Sequence, residues 1–321
     1  MQEKLLQRFL RYVAVPSQSN AANANVPSSE GQRKLAELLK QDLAELGLVD
    51  LEISEYSVLT GKLPAYLPEG CTKEVPAVGW CAHLDTIDIN MSPEIHPQVV
   101  KNYQGGDVCL NKEKDIWIRT AEHPELDKYV GEDIVFTDGT SVLGADNKAA
   151  IANIMVALET IVNEKRCHGD IYVAFVPDEE IGLRGSKKMD FSKFPVKFAY
   201  TIDCCELGEV VYQTFNAGTA IVKIKGVSAH PMSAKGVLIN PTLLAVDLVN
   251  MFDRTQTPEC TEGTEGYIWV KSIVSNDTYA TVTLDIRDHN KKRYEERKAE
   301  IAAYVSACRS YLHHERYLRQ Y

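Results

Sequence analysis

Two kinds of hydrophobic pattern occupy different parts of this chain. In the first two-thirds, short apolar runs without polar alternation recur: Ala77-Val78-Gly79-Trp80-Cys81-Ala82, Ile134-Val135-Phe136, Ile171 to Val176 and Phe198 to Ile202. Runs of this length suit strands buried on both faces. Leu51 to Leu59 reads as a further strand. Between the runs the spacing turns helical. Leu5, Leu6, Phe9, Leu10 and Val13 share one face, and Leu35, Leu38, Leu39, Leu43 and Leu46 share another, after Ser29 as N-cap and before Gly47 as stop. Ala149, Ala150, Ile154, Ala157, Leu158 and Ile161 predict a third helix, with Asp146 at its start, where exposed amides favour a carboxylate. Strands alternating with helices predict a three-layer α/β domain with a largely parallel sheet. The polar stretch from about Asn90 to Glu132 predicts a long excursion with little regular structure.

The pattern changes near Tyr212. Ala220 to Lys225, Tyr267 to Val274 and Thr281 to Ile286 read as half-exposed antiparallel strands. Helices are predicted from Pro241 to about Phe252 and from about Lys292 to Leu312. The order strand-helix-strand-strand-helix predicts a small α+β layer with helices on one sheet face. Two domains follow, 1–211 and 212–321.

Composition narrows the function classes. With 45% apolar and 25% charged residues the chain has ample core material, so a globular fold is expected. A net charge of -10 leaves no basic surplus to neutralise phosphates, which excludes nucleic acid as a partner. No stretch is apolar enough to predict a membrane span. The N-terminal helix carries Glu3, Lys4, Arg8 and Arg11 among its apolar residues, unlike a signal peptide. The eight cysteines form no C-x-x-C pair, so buried free thiols and a cytoplasmic location are expected.

The candidate chemistry lies where the buried strands end. His83-Leu84-Asp85 follows the first run, Asp178-Glu179-Glu180 follows Pro177, Asp203 follows the last run, and Asp146 opens the third helix. Ligands gather beyond the carboxyl ends of strands in such sheets. Imidazole with carboxylates is a ligand set for a divalent metal, and a cation offsets the repulsion among gathered acids. His83 is a candidate ligand, with Asp85 accepting its other ring N–H. Glu180 is a candidate ligand and Glu179 a candidate general base. Asp146 could bridge two metals. Each position also has a plainer reading: a surface loop for His83 and Asp85, helix-capping acids at Glu179, Glu180 and Asp146, and a turn at Asp203. Their recurrence at strand ends is the case for metal-dependent hydrolysis.

These motifs, with Gly144-Ala145-Asp146-Asn147-Lys148 and Pro177-Asp178-Glu179-Glu180-Ile181-Gly182, closely resemble the M20 family of cocatalytic zinc peptidases. Val26-Pro27-Ser28-Ser29-Glu30-Gly31-Gln32, Asn102-Tyr103-Gln104-Gly105-Gly106-Asp107, His230-Pro231 with Ala234-Lys235-Gly236, and Arg287-Asp288 look like its tripeptide aminopeptidases. The likeness runs from the N-terminus to about Leu312. It implies a zinc-peptidase catalytic domain with an inserted α+β lid, and release of the N-terminal residue from tripeptides by zinc-activated water. It implies two zinc ions, with His83 and Asp203 on one, Glu180 on the other and Asp146 between them. Glu179 matches the general base and Asp85 the orienting carboxylate. His230 matches the lid histidine that stabilises the oxyanion, an interface histidine being the plainer reading, and Arg287 matches a substrate-contacting lid arginine.

The family's chain returns from the lid to supply further strands, a glycine-rich loop and a late histidine. No segment here resembles that part, and His289, His313 and His314 do not plainly replace the histidine. The expectation is a C-terminally truncated chain, its lid cut before the last strand is complete and its second zinc site short of one ligand. The alternatives are an inactive remnant that binds metal or forms a homodimer through its lid sheet, and an M20-type deacylase or dipeptidase.

Overall fold

The computed structural model describes residues 1–204 and 208–318, with side chains through Cys308. Cys205 and the side chains of His313 and His314, on which sequence expectations fell, lie outside the described residues. The chain forms two compact units, Met1–Leu207 and Gly208–Tyr321.

The first unit opens with helices α1 (Gln2–Val13) and α2 (Glu30–Glu45), followed by strands β1 (Val49–Ile53), β2 (Leu59–Leu63) and β3 (Val78–His83). Short strands β4 (Pro97–Val100), β5 (Val108–Asn111), β6 (Ile116–Ile118) and β7 (Ile134–Thr137) come next, then helix α3 (Ala145–Asn163) and strands β8 (Ile171–Val176) and β9 (Phe198–Thr201). Five strands make the main sheet, in the order β1-β2-β8-β3-β9.

That sheet is mixed, not largely parallel. β3 runs parallel to β8 and β9, whereas β1–β2 and β2–β8 are antiparallel. Local turn chemistry explains the difference. Leu51 to Leu59 is not one strand, because Ser54 to Ser57 turn the chain: the Ser57 N–H donates to the Ser54 carbonyl, and Ser57 adopts a φ of 62°. Strands joined by so short a turn can pair only antiparallel. The parallel trio is what aligns the candidate residues. His83 pairs with Val176, and Cys81 with Thr201, so β3, β8 and β9 end on the same edge.

The stretch from Asn90 to Glu132 is more ordered than its polarity predicts. β4 pairs with β7 and β5 with β6, over a small core of Tyr103, Val108, Leu126 and Phe136. Apolar pieces as short as Ile116-Trp117-Ile118 are enough for such ribbons, and no periodicity emerges from three residues.

One apolar core holds the first unit together. α1 contributes Phe9, Tyr12 and Val13, α2 contributes Leu35, Leu39 and Leu43, and α3 contributes Ile151, Ile154, Met155 and Leu158, all against Leu59, Val173 and Phe175 of the sheet. Burying each of the large aliphatic side chains contributes about 1.5–3 kcal/mol. α3 differs from the prediction at its start. Gly144 is the N-cap, with a φ of 72°, and Asp146 lies within the first turn in a non-helical conformation (φ -78°, ψ 104°). The Asp146–Asn147 peptide is cis. Ser29 does precede α2, but its hydroxyl accepts from Gln32 Nε2 and makes no capping bond to a helix amide.

The second unit contains strand β10 (Asn216–Lys225), helix α4 (Pro241–Asn250), strands β11 (Tyr267–Ser275) and β12 (Tyr279–Asp288), and helix α5 (Lys291–Leu318). Its antiparallel sheet has the order β10-β12-β11. Strict alternation in β12 buries Ala280, Val282, Leu284 and Ile286 against Ala245 and Leu248 of α4 and Ile301 of α5. Asn240 caps α4 by accepting from the Thr242 and Leu243 amides. The strand-helix-strand-strand-helix order is as the sequence predicts.

The seven described cysteines are unpaired, but Cys71, Cys167, Cys204 and Cys260 are exposed, not buried. Absence of pairing motifs says nothing about depth. No helix among the described residues is long and apolar enough to cross a membrane.

Ile151→Ala is expected to destabilise the chain by about 2–5 kcal/mol, because a fully buried side chain would leave a cavity beside the sheet. Urea unfolding followed by circular dichroism measures it; a loss under 1 kcal/mol would mean that this core is loosely packed.

Candidate metal centre

His83 closes β3 with its ring only 2% exposed. Its Nε2 lies 2.8 Å from Asp146 Oδ1 and 4.0 Å from Asp203 Oδ2. Its Nδ1 lies 3.0 Å from the Asp85 carbonyl and 3.3 Å from Asp85 Oδ1. The ring is therefore held mainly by the Asp85 main chain, with the carboxylate as second neighbour.

The Asp85 carboxylate has a further task that sequence reasoning missed. It accepts from the Glu179 amide (2.9 Å) through one oxygen and from the Glu180 amide (3.2 Å) through the other. Asp85 is fully buried. One carboxylate thus connects the imidazole at the end of β3 with the two glutamates after β8.

Two sets of donor atoms come within 4.8 Å of one another: His83 with Asp146 and Asp203, and His83 with Glu179 and Glu180. The four strand-end residues and Asp146 at the start of α3, expected to bind metal or move protons, therefore converge. Glu180 groups with His83 and Glu179, where the sequence expectation put it with Asp146. The donors are imidazole nitrogen and carboxylate oxygen, the chemistry that zinc and its neighbours in the first transition row accept.

Charge makes the case for a cation. Burial, then the Asp146 charge, pushes the Glu180 carboxyl up to about 7, with His83 opposing. Burial likewise raises Glu179 and Asp203, and neighbouring acids add to it. His83 moves up to about 10: burial pulls it down, but hydrogen bonds to Asp146 and Asp85 outweigh that. Its hydrogen bond in turn lowers Asp146. The acids compete for one positive charge, and a divalent ion would relieve all of them at once.

Asn147, Lys148 and Asp178 also belong to the site and were given no role from sequence. Asn147 Nδ2 donates to the Ile202 carbonyl (2.9 Å) and to Asp203 Oδ1 (2.9 Å), and its Oδ1 accepts from the His83 amide (3.3 Å). It joins the ends of β3 and β9. Lys148 is fully buried, and its Nζ has no hydrogen-bond partner; burial lowers it to about 8, against the pull of Asp85. Asp178 is fully buried and bonds to Ser28 and Gln32. The available signal was polarity in the wrong place: Asn and Lys inside an apolar helical run are rarely buried without a task.

His230 and Arg287 belong to the second unit. His230 is exposed and precedes a 3-10 turn, Pro231–Ser233; its Nδ1 accepts from the Met232 amide (3.3 Å). Arg287 is exposed at the end of β12, its guanidinium 4.4 Å from the Phe215 ring centre and 5.8 Å from that of Tyr267.

Comparison with known proteins places the chain. It is 51% identical over 310 residues to a peptidase T-like protein of Rhizobium meliloti, a match covering 97% of this chain and 74% of that one. It is 39% identical over 316 residues to peptidase T of Escherichia coli, covering 98% and 76%. The chain belongs to the peptidase T family. Residues 212–308 match a peptidase dimerisation domain, and residues 130–238 match the M42 glutamyl aminopeptidase model. The fold agrees with the peptidase T assignment. A tripeptidase from Staphylococcus aureus superposes with a TM-score of 0.70 at 20% identity, covering 97% of this chain and 73% of that one. A Bacillus subtilis protein described as a dinuclear metal-binding peptidase of the M20 family superposes at 0.52 with 9% identity, covering 95% and 69%. A peptidase T family member is a peptidase, and the family implies metal use.

Proton affinity at this cluster predicts how stability changes with pH. His83 holds its proton to about pH 10 in the fold, against 6.5 ordinarily, and Glu180 to about 7, against 4.5. The folded state then binds more protons than the unfolded one, so stability falls as pH rises. In chelator-treated protein the Glu180 contribution is full below 4.5 and fades through 7, and that of His83 is full below 6.5 and fades through 10. Urea unfolding from pH 5 to 9 should show the decline, and excess zinc should reverse it. A profile that zinc leaves unchanged would count against a metal centre here.

Proposed function

We propose that this chain is a zinc-dependent aminopeptidase that releases the N-terminal residue from tripeptides. The observation that carries the reading is the convergence of His83, Asp203, Glu179 and Glu180 at the ends of parallel strands with Asp146 at the start of α3, in a chain of the peptidase T family. The name tripeptidase attached to the Staphylococcus aureus structure supports the substrate class.

In this reading His83, Asp146, Asp203 and Glu180 would hold the zinc. When bound, the metal supplies Lewis acidity that polarises the peptide carbonyl and lowers the pKa of the attacking water. Glu179 takes a proton from that water and passes it to the departing amine. Its raised proton affinity suits the task, since a base must hold the proton before releasing it. Asp85 keeps the His83 ring and both glutamate amides in register. For His230 and Arg287 the family resemblance alone supports the roles of oxyanion-stabilising histidine and substrate-contacting arginine; within the second unit the Arg287 guanidinium lies against the faces of Phe215 and Tyr267.

The domain division follows: 1–211 as the zinc-binding part and 212–321 as lid and dimerisation part. The dimerisation-domain match supports a homodimer. The lack of pairing among the seven described cysteines supports a cytoplasmic location.

The test is hydrolysis of a free tripeptide with zinc present, compared with the same peptide acetylated at its N-terminus. Cleavage of the free peptide alone is expected. Glu179→Gln should keep zinc binding and lower kcat by about 10²–10⁴-fold. Equal cleavage of the acetylated peptide, or no cleavage by zinc-loaded protein, would overturn the proposal.

A further inference from the structure

The loop that carries Glu179 and Glu180 is fastened at a point that takes no part in the chemistry above. Asp178, the residue before them, is fully buried and has a φ of 55°, a conformation that Asp tolerates better than most residues. Its carboxylate accepts from the Ser28 amide (2.8 Å), the Ser28 hydroxyl and Gln32 Nε2 (2.7 Å). Its own amide donates to Gln32 Oε1 (2.9 Å). These donors stand at the start of α2, far away in sequence. Among the described residues no cation pairs with Asp178; neutral donors satisfy its charge.

The fastening continues on both sides. Past the glutamates, the Leu183 amide donates to the Glu179 carbonyl, the Arg184 amide to the Asp178 carbonyl and the Gly185 amide to the Pro177 carbonyl, closing the loop on itself. A Cβ at Gly185 would lie 2.2 Å from the Pro177 oxygen, so the closure leaves no room for a side chain. Arg184 reaches the Asn23 carbonyl (2.6 Å) and the Ala21 carbonyl (3.2 Å). The segment from Ser17 to Ser28 is itself tied at its other end: the Ser19 amide donates to the Thr86 carbonyl, next to Asp85. A strap therefore runs from the end of β3 to the end of β8.

We propose that Asp178, through Ser28 and Gln32, is a positioning residue that sets the direction of Glu179 and Glu180. The inference rests on the reading of those two residues as base and ligand. The Asp85 carboxylate receives both glutamate amides, and Asp178, directly before them in the chain, is the side-chain anchor next to that pair. A displacement of about 1 Å at a reacting group can cost on the order of 10²-fold in rate.

The test uses Asp178→Asn, the double variant Asp178→Asn with Gln32→Glu, and the milder Ser28→Ala, each in the full chain. Amide hydrogen exchange at Glu179 and Glu180 reads positioning directly, and kcat and KM for a tripeptide read its consequence. In Asp178→Asn those two amides should exchange at least about 10-fold faster. There kcat should fall about 10- to 100-fold with KM within about two-fold. The double variant moves the carboxylate across the same contact, so it should restore slow exchange and most of kcat. If Asp178→Asn does not fold, Ser28→Ala gives the answer through the same readouts in the same direction. Unchanged exchange at the two amides, or faster exchange with kcat intact, would overturn the positioning role. An inactive wild type would count against the peptidase reading instead, and the exchange measurement would then decide the positioning role alone.

Discussion

A carboxylate shut away from water must satisfy its charge with protein donors, and Asp85 does so with the groups that matter most. Its two oxygens receive the amides of Glu179 and Glu180, while its main chain and one oxygen face the His83 ring. Hydrogen bonds to a charged acceptor contribute about 1.5–3 kcal/mol each, and leaving the carboxylate without them would cost more. The fold is therefore held to a geometry in which the end of β3 and the loop after β8 meet. Asp146 and Asp203 then complete the cluster from α3 and β9, with Asn147 bridging them to the same strand end.

The site reads as a balance between repulsion and confinement. Burial raises the proton affinity of Glu179, Glu180 and Asp203, and each makes its neighbours less comfortable. A rigid frame is needed to keep such groups together, and the parallel register of β3 with β8 and β9 supplies it. The apolar core beneath opposes the strain: Phe175, Val173, Ile151 and Leu158 are all fully buried under the cluster's supporting elements.

Much of this was legible in sequence, for a physical reason. Buried parallel strands must be continuously apolar, so a charged residue at the end of such a run marks the sheet's functional edge. That rule found His83, Asp85, Glu179, Glu180 and Asp203. It marked Asp178 without giving it a role and passed over Asn147, because their roles lie in hydrogen bonds to residues distant in sequence, and a single polar letter does not state its partner. The direction of β1 and β2 was missed for a similar reason: the turn at Ser54–Ser57 is set by one residue with positive φ and carries neither Gly nor Pro. In the second unit, strict alternation on β12 made the layer readable, since one face is buried and the other is not.

The mixed character of the main sheet bears on how the site comes into being. β1 and β2 meet through a short local turn, so their pairing closes at little entropic cost. The β4–β7 excursion and α3 separate β3 from β8 in the sequence, and joining segments that distant costs more chain entropy than closing a local turn. The cluster spans that long-range pairing, with His83 on one side and Glu179 and Glu180 on the other. A chain still on its way to the folded state would hold only fragments of the ligand set. Maturity of the fold and competence to bind metal would then arrive together.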